Sequence, residues 1–112
     1  MTPIVRGLEE YVLRQVQEAY TVGKLRKTFR CQQDMAQSGF FESDVEKILL
    51  DATSIEKAMP ATSERAGNPL NTHYVIRGTS TYGKRVYCKV CSNYLPNSDV
   101  FVEWVLTSFK DE

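Results

Sequence analysis

The sequence is poor in several features that mark common classes of protein. It has one histidine and three cysteines, and its fourteen basic and fourteen acidic residues give a formal net charge of zero. Three cysteines do not make the framework of a disulfide-rich secreted domain, and a net charge of zero gives no indication of nucleic-acid binding. No apolar run approaches the length of a membrane span, and the opening residues, MTPIVRGLEE, lack the apolar region of a signal peptide. These absences favour a cytoplasmic protein.

The residues that are present are typical of one globular domain. A chain of 112 residues can bury a single core, and its residues are 42% hydrophobic and 25% charged. We therefore expect residues 1–112 to form one domain. Basic residues cluster in GKLRKTFR (23–30) and in GKR (83–85), which are local patches where a polyanion could bind. Such clusters are more often solvated surface, so they carry little weight alone.

The first part of the sequence predicts a long amphipathic helix. Thr2 and Pro3 suit the start of a helix, and Gly23 suits its end. Between them, apolar residues recur at helical spacing, namely Ile4, Leu8, Tyr11, Val12 and Val16. This pattern predicts a helix over 3–21, followed by a short extended segment, KLRKT.

Two further helices are predicted before the middle of the chain. Thr28 is placed to cap a helix over 29–38 that ends at Gly39. In the segment SDVE, Ser43 and Glu46 stand three residues apart, which is the pattern of a capping box. It predicts the start of a third helix, whose buried stripe consists of Val45, Ile48, Leu49 and Ala52.

The second half of the sequence alternates between apolar and polar residues and predicts a sheet. A loop over 60–72 is followed by predicted strands over 73–78, 85–92 and 100–109. The last run, VFVEWVLTSF, is apolar on both faces, as expected of a central strand. Helices followed by strands predict an α+β fold, with N-terminal helices packed on a C-terminal antiparallel sheet in two layers.

The hairpin HYVIRGTSTYGKRVYCKV (73–90) contains the only histidine and has two unlike faces. Because side chains alternate along a strand, Ile76 is predicted on an apolar side with Tyr74, Val86, Cys88 and Val90. The other side carries His73, Arg77, Arg85, Tyr87 and Lys89. Such a face could hold a phosphodiester, with cations stabilising the charge on phosphorus and histidine moving the proton of a 2′-hydroxyl. A lone histidine at a strand start is, by itself, more often a surface or hydrogen-bonded residue.

The segment CKVC (88–91) raises the alternative of a zinc site completed by Cys31 and His73. Cys88 and Cys91 are an odd number of residues apart on a predicted strand, so they are expected on opposite faces of the sheet. We therefore predict free cysteines, no metal and no cofactor.

Several segments together resemble the MqsR-type mRNA interferases, which are toxins of bacterial toxin–antitoxin pairs with a RelE-like fold. The segments are VLRQVQEAYTVGKLRKT, GFFESDVEKILLDATSIEKAM, VYCKV and SFKDE, and the resemblance runs from Val12 to Glu112. It implies metal-independent endonucleolytic cleavage of single-stranded mRNA. It also implies neutralisation by a cognate antitoxin, such as a zinc-finger or helix-turn-helix protein.

The resemblance also implies the catalytic positions, which are Lys57 in EKAM, His73 in HYVIR, Tyr87 in VYCKV and Lys110 in SFKDE. At position 73 the family has a glutamine, and histidine can accept a proton where glutamine can only orient a group. We expect His73 to transfer protons and Tyr87 to hydrogen-bond the phosphate or assist as an acid. Lys57, Lys110 and Arg77 are expected to stabilise the phosphorane. The predicted substrate-binding side chains are Arg77, Arg85, Lys89, Arg26 and Lys27.

A non-catalytic RNA- or protein-binding module on the same fold is the alternative, because a fold does not determine a function. The four titratable side chains at the implied catalytic positions favour the enzyme. For the antitoxin, a net charge of zero predicts binding through apolar and backbone contacts, for example by adding a strand to a sheet edge.

Overall fold

The computed structural model describes residues 6–61 and 68–112. The elements in chain order are α1 (Arg6–Thr21), β1 (Leu25–Lys27), α2 (Phe29–Ser38), α3 (Glu42–Asp51), β2 (Lys57–Pro60), β3 (Thr72–Thr79), β4 (Arg85–Tyr94) and β5 (Phe101–Asp111). Within these residues no helix is both long enough and apolar enough to cross a membrane.

The end of α1 and both ends of α2 lie where the sequence predicts. Helix α1 ends at Thr21, and Gly23 follows it with a φ of 75°, whereas the predicted start at Thr2 and Pro3 lies outside the described residues. The Thr28 hydroxyl caps α2 by accepting a hydrogen bond of 3.1 Å from the Cys31 N–H. Gly39 ends α2 in the left-handed conformation, with a φ of 75°.

Helix α3 begins differently from the prediction. Its N-cap is Phe41 rather than Ser43, and the Asp44 carboxylate accepts a hydrogen bond of 2.8 Å from the Phe41 N–H. The same carboxylate accepts hydrogen bonds from the Thr81 N–H at 2.9 Å and from the Thr81 hydroxyl at 2.7 Å. The prediction of a capping box at Ser43 and Glu46 was therefore wrong. The buried Asp44 fills that role, and its hydrogen bonds to Thr81 connect α3 to the turn between β3 and β4.

Burial acts to raise the pKa of Asp44, but hydrogen bonds from Phe41 and Thr81 outweigh it and hold that pKa below its ordinary value. A carboxylate with a lowered pKa stabilises the fold above the pKa of the unfolded chain. That contribution is lost as the pH falls through the folded-state pKa.

Replacing Asp44 with alanine is expected to lower the free energy of unfolding by roughly 3 kcal/mol, because it leaves charge-assisted donors unpaired. Asp51→Ala on the same helix is the matched control, because the Asp51 side chain is exposed and forms a surface ion pair with Lys47 at 3.7 Å. We expect it to cost at most about 0.5 kcal/mol. Urea denaturation measures both values, and equal losses in the two variants would contradict the assigned role of Asp44.

The sheet has five strands in the order β1-β5-β4-β3-β2. The three predicted strands are confirmed, but the sheet is mixed rather than antiparallel, because β1 pairs with β5 in parallel over Trp104–Leu106. Strand β2 was not predicted. It has four residues and ends with Pro60. Proline has no backbone N–H to donate, and it is tolerated here because β2 is an edge strand with no described strand on its outer side.

All three helices pack on one face of the sheet and form the core with it. Ile76, Val86, Cys88, Val90, Leu106 and Phe109 are the strand residues of this core. The predicted stripe of α3 is buried at Val45, Ile48 and Leu49, with Ala52 at its margin. Leu8 and Tyr11 of α1 are instead exposed, at 52% and 58%. Gly78 lets α3 approach β3 closely, because a Cβ atom there would lie 3.2 Å from Ile48.

Candidate functional site

The face of the sheet turned away from the helices, called the open face here, carries most of the predicted site. Residues paired across neighbouring strands project from the same face, so the strand register orders the open face into rows. The His73 row contains Met59, His73, Cys91, Val105 and Arg26; the Lys89 row contains Lys57, Val75, Lys89 and Ser108; and the Tyr87 row contains Arg77, Tyr87 and Lys110. None of these residues belongs to the core cluster formed by the described residues.

The structure therefore brings all but one of the predicted site residues to one face, with Arg85 at its end beside Thr79. The exception is Lys27. It pairs with Leu106, a core residue, and its ammonium lies 2.8 Å from the Glu42 carboxylate. Lys27 is therefore not brought together with the other predicted substrate-binding residues, because alternation along β1 sends neighbouring side chains to opposite faces.

The four predicted catalytic residues do not gather at one point. His73 is paired with Cys91, which lies four residues from Tyr87 along β4. At the rise of a β-strand this separates the His73 row from the Tyr87 row by roughly 13 Å. The Lys89 row lies between them. His73 and Tyr87 therefore project from the open face at separate points along the strands rather than around one point.

His73 is half-buried, and its environment favours the neutral imidazole. Burial lowers the pKa of His73 below its ordinary value, and the positive charge of Lys89 lowers it further. Among the described residues the imidazole has no hydrogen-bond partner. A neutral imidazole beside an ammonium group can accept a proton from a hydroxyl while the ammonium stabilises the resulting negative charge.

Tyr87 is the centre of a cluster of cations. The Arg77 guanidinium carbon lies 5.1 Å from the centroid of the Tyr87 ring, and the Lys89 ammonium lies 5.7 Å from it. Both distances are in the range of a cation–π contact. An aromatic ring among cations is the combination that proteins use to bind single-stranded nucleic acid through stacking and phosphate contacts.

Carboxylates already hold several of these cations. Arg77 pairs with Glu56 and Glu112, and Lys110 lies 4.0 Å from Asp34. At the other end of the face, the Arg26 guanidinium donates to both oxygens of Glu103, at 3.0 and 3.1 Å. These hydrogen bonds raise the pKa of Arg26, and they lower the pKa of Glu103.

The sequence patterns did not reveal these acidic partners. Glu56 adjoins the predicted residue Lys57 along the chain, and Glu112 is two residues from Lys110, but no spacing rule pairs either glutamate with Arg77. That pairing depends on which strands are neighbours. Only the order and register of the strands would have revealed that Glu56 and Glu112 lie near Arg77.

The cysteines lie on opposite faces, as expected. Cys88 is buried in the core, and Cys91 projects from the open face beside His73. Burial raises the pKa of Cys91 to about 11, so its sulfur is a thiol at neutral pH and a weak nucleophile. In the two described stretches of the chain, no three His, Cys, Asp or Glu side chains are grouped so that they could hold a metal ion.

Comparisons of this chain with protein-family models, with curated proteins and with solved structures find no match. The features of the open face that are most informative about function are His73 beside Lys89 and the cations around Tyr87.

Proposed function

We propose that the protein is a metal-independent endoribonuclease that cleaves single-stranded mRNA on its open face and is the toxin of a toxin–antitoxin pair. The observation that carries the cleavage proposal is a half-buried histidine with a lowered pKa next to a lysine. The rest of the face supplies cations and an aromatic ring for the strand. The toxin role is what the resemblance to MqsR-type interferases implies, and with it we propose a cytoplasmic location, where mRNA is found.

In the proposed reaction His73 removes the proton from a ribose 2′-hydroxyl, and the 2′-oxygen attacks the adjacent phosphorus. The bond from phosphorus to the 5′-oxygen breaks, and that oxygen takes a proton from water. Lys89 and Lys57, which share a row one step from His73, stabilise the negative charge on the phosphorane. The products are a 2′,3′-cyclic phosphate and a 5′-hydroxyl. Tyr87 binds the strand at a distance from this step.

The proposal predicts that the purified protein cleaves single-stranded RNA in EDTA and leaves 2′,3′-cyclic phosphate ends. A DNA strand of the same sequence should remain intact, because the attacking nucleophile is the substrate's own 2′-hydroxyl. Mass spectrometry of the products measures the end groups. Intact RNA at high protein concentration, or cleavage that leaves a 3′-hydroxyl, would contradict the proposal.

A non-catalytic RNA- or protein-binding module is the second candidate. It is favoured by the separation of His73 from the Tyr87 row and by the carboxylates that hold Arg26, Arg77 and Lys110. The cleavage assay separates the two functions when RNA binding is measured on the same samples. RNA that is bound but not cut would support the binding module.

We propose that this protein has a RelE-like architecture and that its antitoxin adds a β-strand to the sheet beside β1. In the described part of the chain, β1 pairs only with Trp104–Leu106, so the first residues of β5 have no strand on that side. Phe101 and Val102 there are 42% and 49% exposed. A complex with the product of the neighbouring gene should persist in roughly 1 M salt, which screens charge but not apolar contacts. Dissociation in moderate salt would contradict this mode of binding.

A further inference from the structure

The side chain of Glu112 bridges two arginines at the end of the open face. Its Oε1 atom pairs with Nη1 of Arg77, and its Oε2 atom lies 3.4 Å from Nε of Arg85. The backbone N–H of Glu112 donates a hydrogen bond of 3.1 Å to the carbonyl oxygen of Arg85. Each arginine therefore holds one oxygen of the same carboxylate.

A phosphate group can replace a carboxylate in this geometry. Guanidinium groups bind both anions through paired N–H donors. The pairs are also accessible, because the side chains of Arg77, Arg85 and Glu112 are 33%, 63% and 30% exposed. Exposed ion pairs contribute little net stability, so an incoming anion with more charge can displace the carboxylate.

The position of the arginines separates them from the reacting centre. Arg77 lies four residues from His73 along β3, which is roughly 13 Å. An anion between Arg77 and Arg85 is therefore a different phosphate of the strand from the one next to His73. Glu56 pairs with Nε of Arg77 and can keep its guanidinium oriented when Glu112 leaves.

We propose that Arg77 and Arg85 form a binding subsite for a second, uncleaved phosphate of the RNA strand, which Glu112 occupies until the strand displaces it. The identity of the strand as RNA rests on the proposed function, whereas the anion subsite does not. The substrate must then extend from His73 past Tyr87 to this end of the sheet, so very short oligonucleotides lose this contact.

The test uses inorganic phosphate as the probe and the Nε–Hε resonances of Arg77 and Arg85 as the readout. Glu112→Gln removes the competing charge, so phosphate is expected to bind the two arginines roughly twofold to fivefold more tightly than in the wild type. Asp111→Asn is the matched control, because it removes the same charge one residue away, where Asp111 pairs with Lys84 at 3.1 Å. It is expected to leave the phosphate affinity unchanged.

Arg85→Gln is the second variant, and it should weaken the phosphate response of Arg77 by a similar factor in the opposite direction. A deoxyribonucleotide strand, which cannot be cleaved, should show the same order of affinities among the variants. Equal phosphate affinity of Glu112→Gln and the wild type, or equal tightening by Asp111→Asn, would overturn the subsite. Neither result depends on cleavage, so a failure of the subsite and a failure of the endoribonuclease proposal are distinguishable.

Discussion

Replacing His73 with glutamine is expected to lower the rate of RNA cleavage about a hundredfold or more, the usual loss when a general base is removed. Glutamine retains a hydrogen-bonding side chain of similar size but cannot accept the proton of the 2′-hydroxyl. Single-turnover cleavage at saturating protein measures the chemical step apart from RNA binding. RNA affinity is expected to stay close to that of the wild type.

The pH dependence of the two proteins should differ in a defined direction. Burial, and then the charge of Lys89, lowers the pKa of His73 below its ordinary value, which favours the neutral imidazole at pH 7. The wild-type rate should rise with pH on the acidic side of neutrality and then level off, whereas His73→Gln should lack this rise. Because the folded protein disfavours protonation of His73, its stability falls as the pH drops below the ordinary histidine pKa. Unfolding must therefore be followed across the same pH range.

Two outcomes would contradict the assigned role of His73. If turnover and its pH dependence hardly change in His73→Gln, the histidine positions the substrate and another group moves the proton. If His73→Gln unfolds the protein, the residue has a structural role. Urea denaturation of the variant at neutral pH separates these outcomes from a loss of catalysis.

Replacing Tyr87 with alanine is expected to weaken the binding of single-stranded RNA roughly tenfold or more, the effect of removing a ring that stacks on a base. Arg77 and Lys89 both contact this ring, so its loss also removes the contact that positions these two cations on the open face. Fluorescence anisotropy of a labelled, non-cleavable oligonucleotide measures the affinity. Tyr87→Phe keeps the ring and should bind nearly as well as the wild type.

Tyr11→Ala is the matched control for Tyr87→Ala. Tyr11 is 58% exposed on α1, on the helical side of the molecule. Its removal should leave RNA affinity unchanged. A comparable loss of affinity in both alanine variants would place the RNA elsewhere than on the open face.

The parts of the fold that depend on local patterns were predictable from the sequence. The Thr28 and Gly39 caps of α2 follow from the side-chain oxygen and the left-handed backbone that these residue types supply. Strands β3 and β4 follow from alternation of apolar and polar residues, whereas β5 follows from a run that is apolar on both faces. The same alternation correctly assigned His73, Arg77 and Tyr87 to one face.

The parts that depend on distant contacts were not predictable. Asp44 caps α3 because Thr81, distant in the chain, holds its carboxylate in place. The parallel pairing of β1 with β5 and the edge position of β2 are set by which elements are neighbours in space.

The same limit applies to the site. Knowing that His73 and Tyr87 share a face does not give their separation, which requires the register between β3 and β4. The side chains of Glu56 and Glu112 that pair with Arg77 are also brought there only by the folded sheet.

The most direct measurement is an NMR titration of the protein with a single-stranded 2′-O-methyl RNA, which cannot be cleaved through its 2′-oxygen. Met59 projects from the open face beside His73, and Met35 is buried in the core on the other side of the sheet, so their methyl groups are matched probes. Binding on the open face predicts large shifts of the Met59 methyl, the His73 imidazole and the Tyr87 ring, with little change at Met35. Shifts confined to the helical side, at Tyr11 and its neighbours, would contradict it, and so would the absence of any shift at saturating RNA.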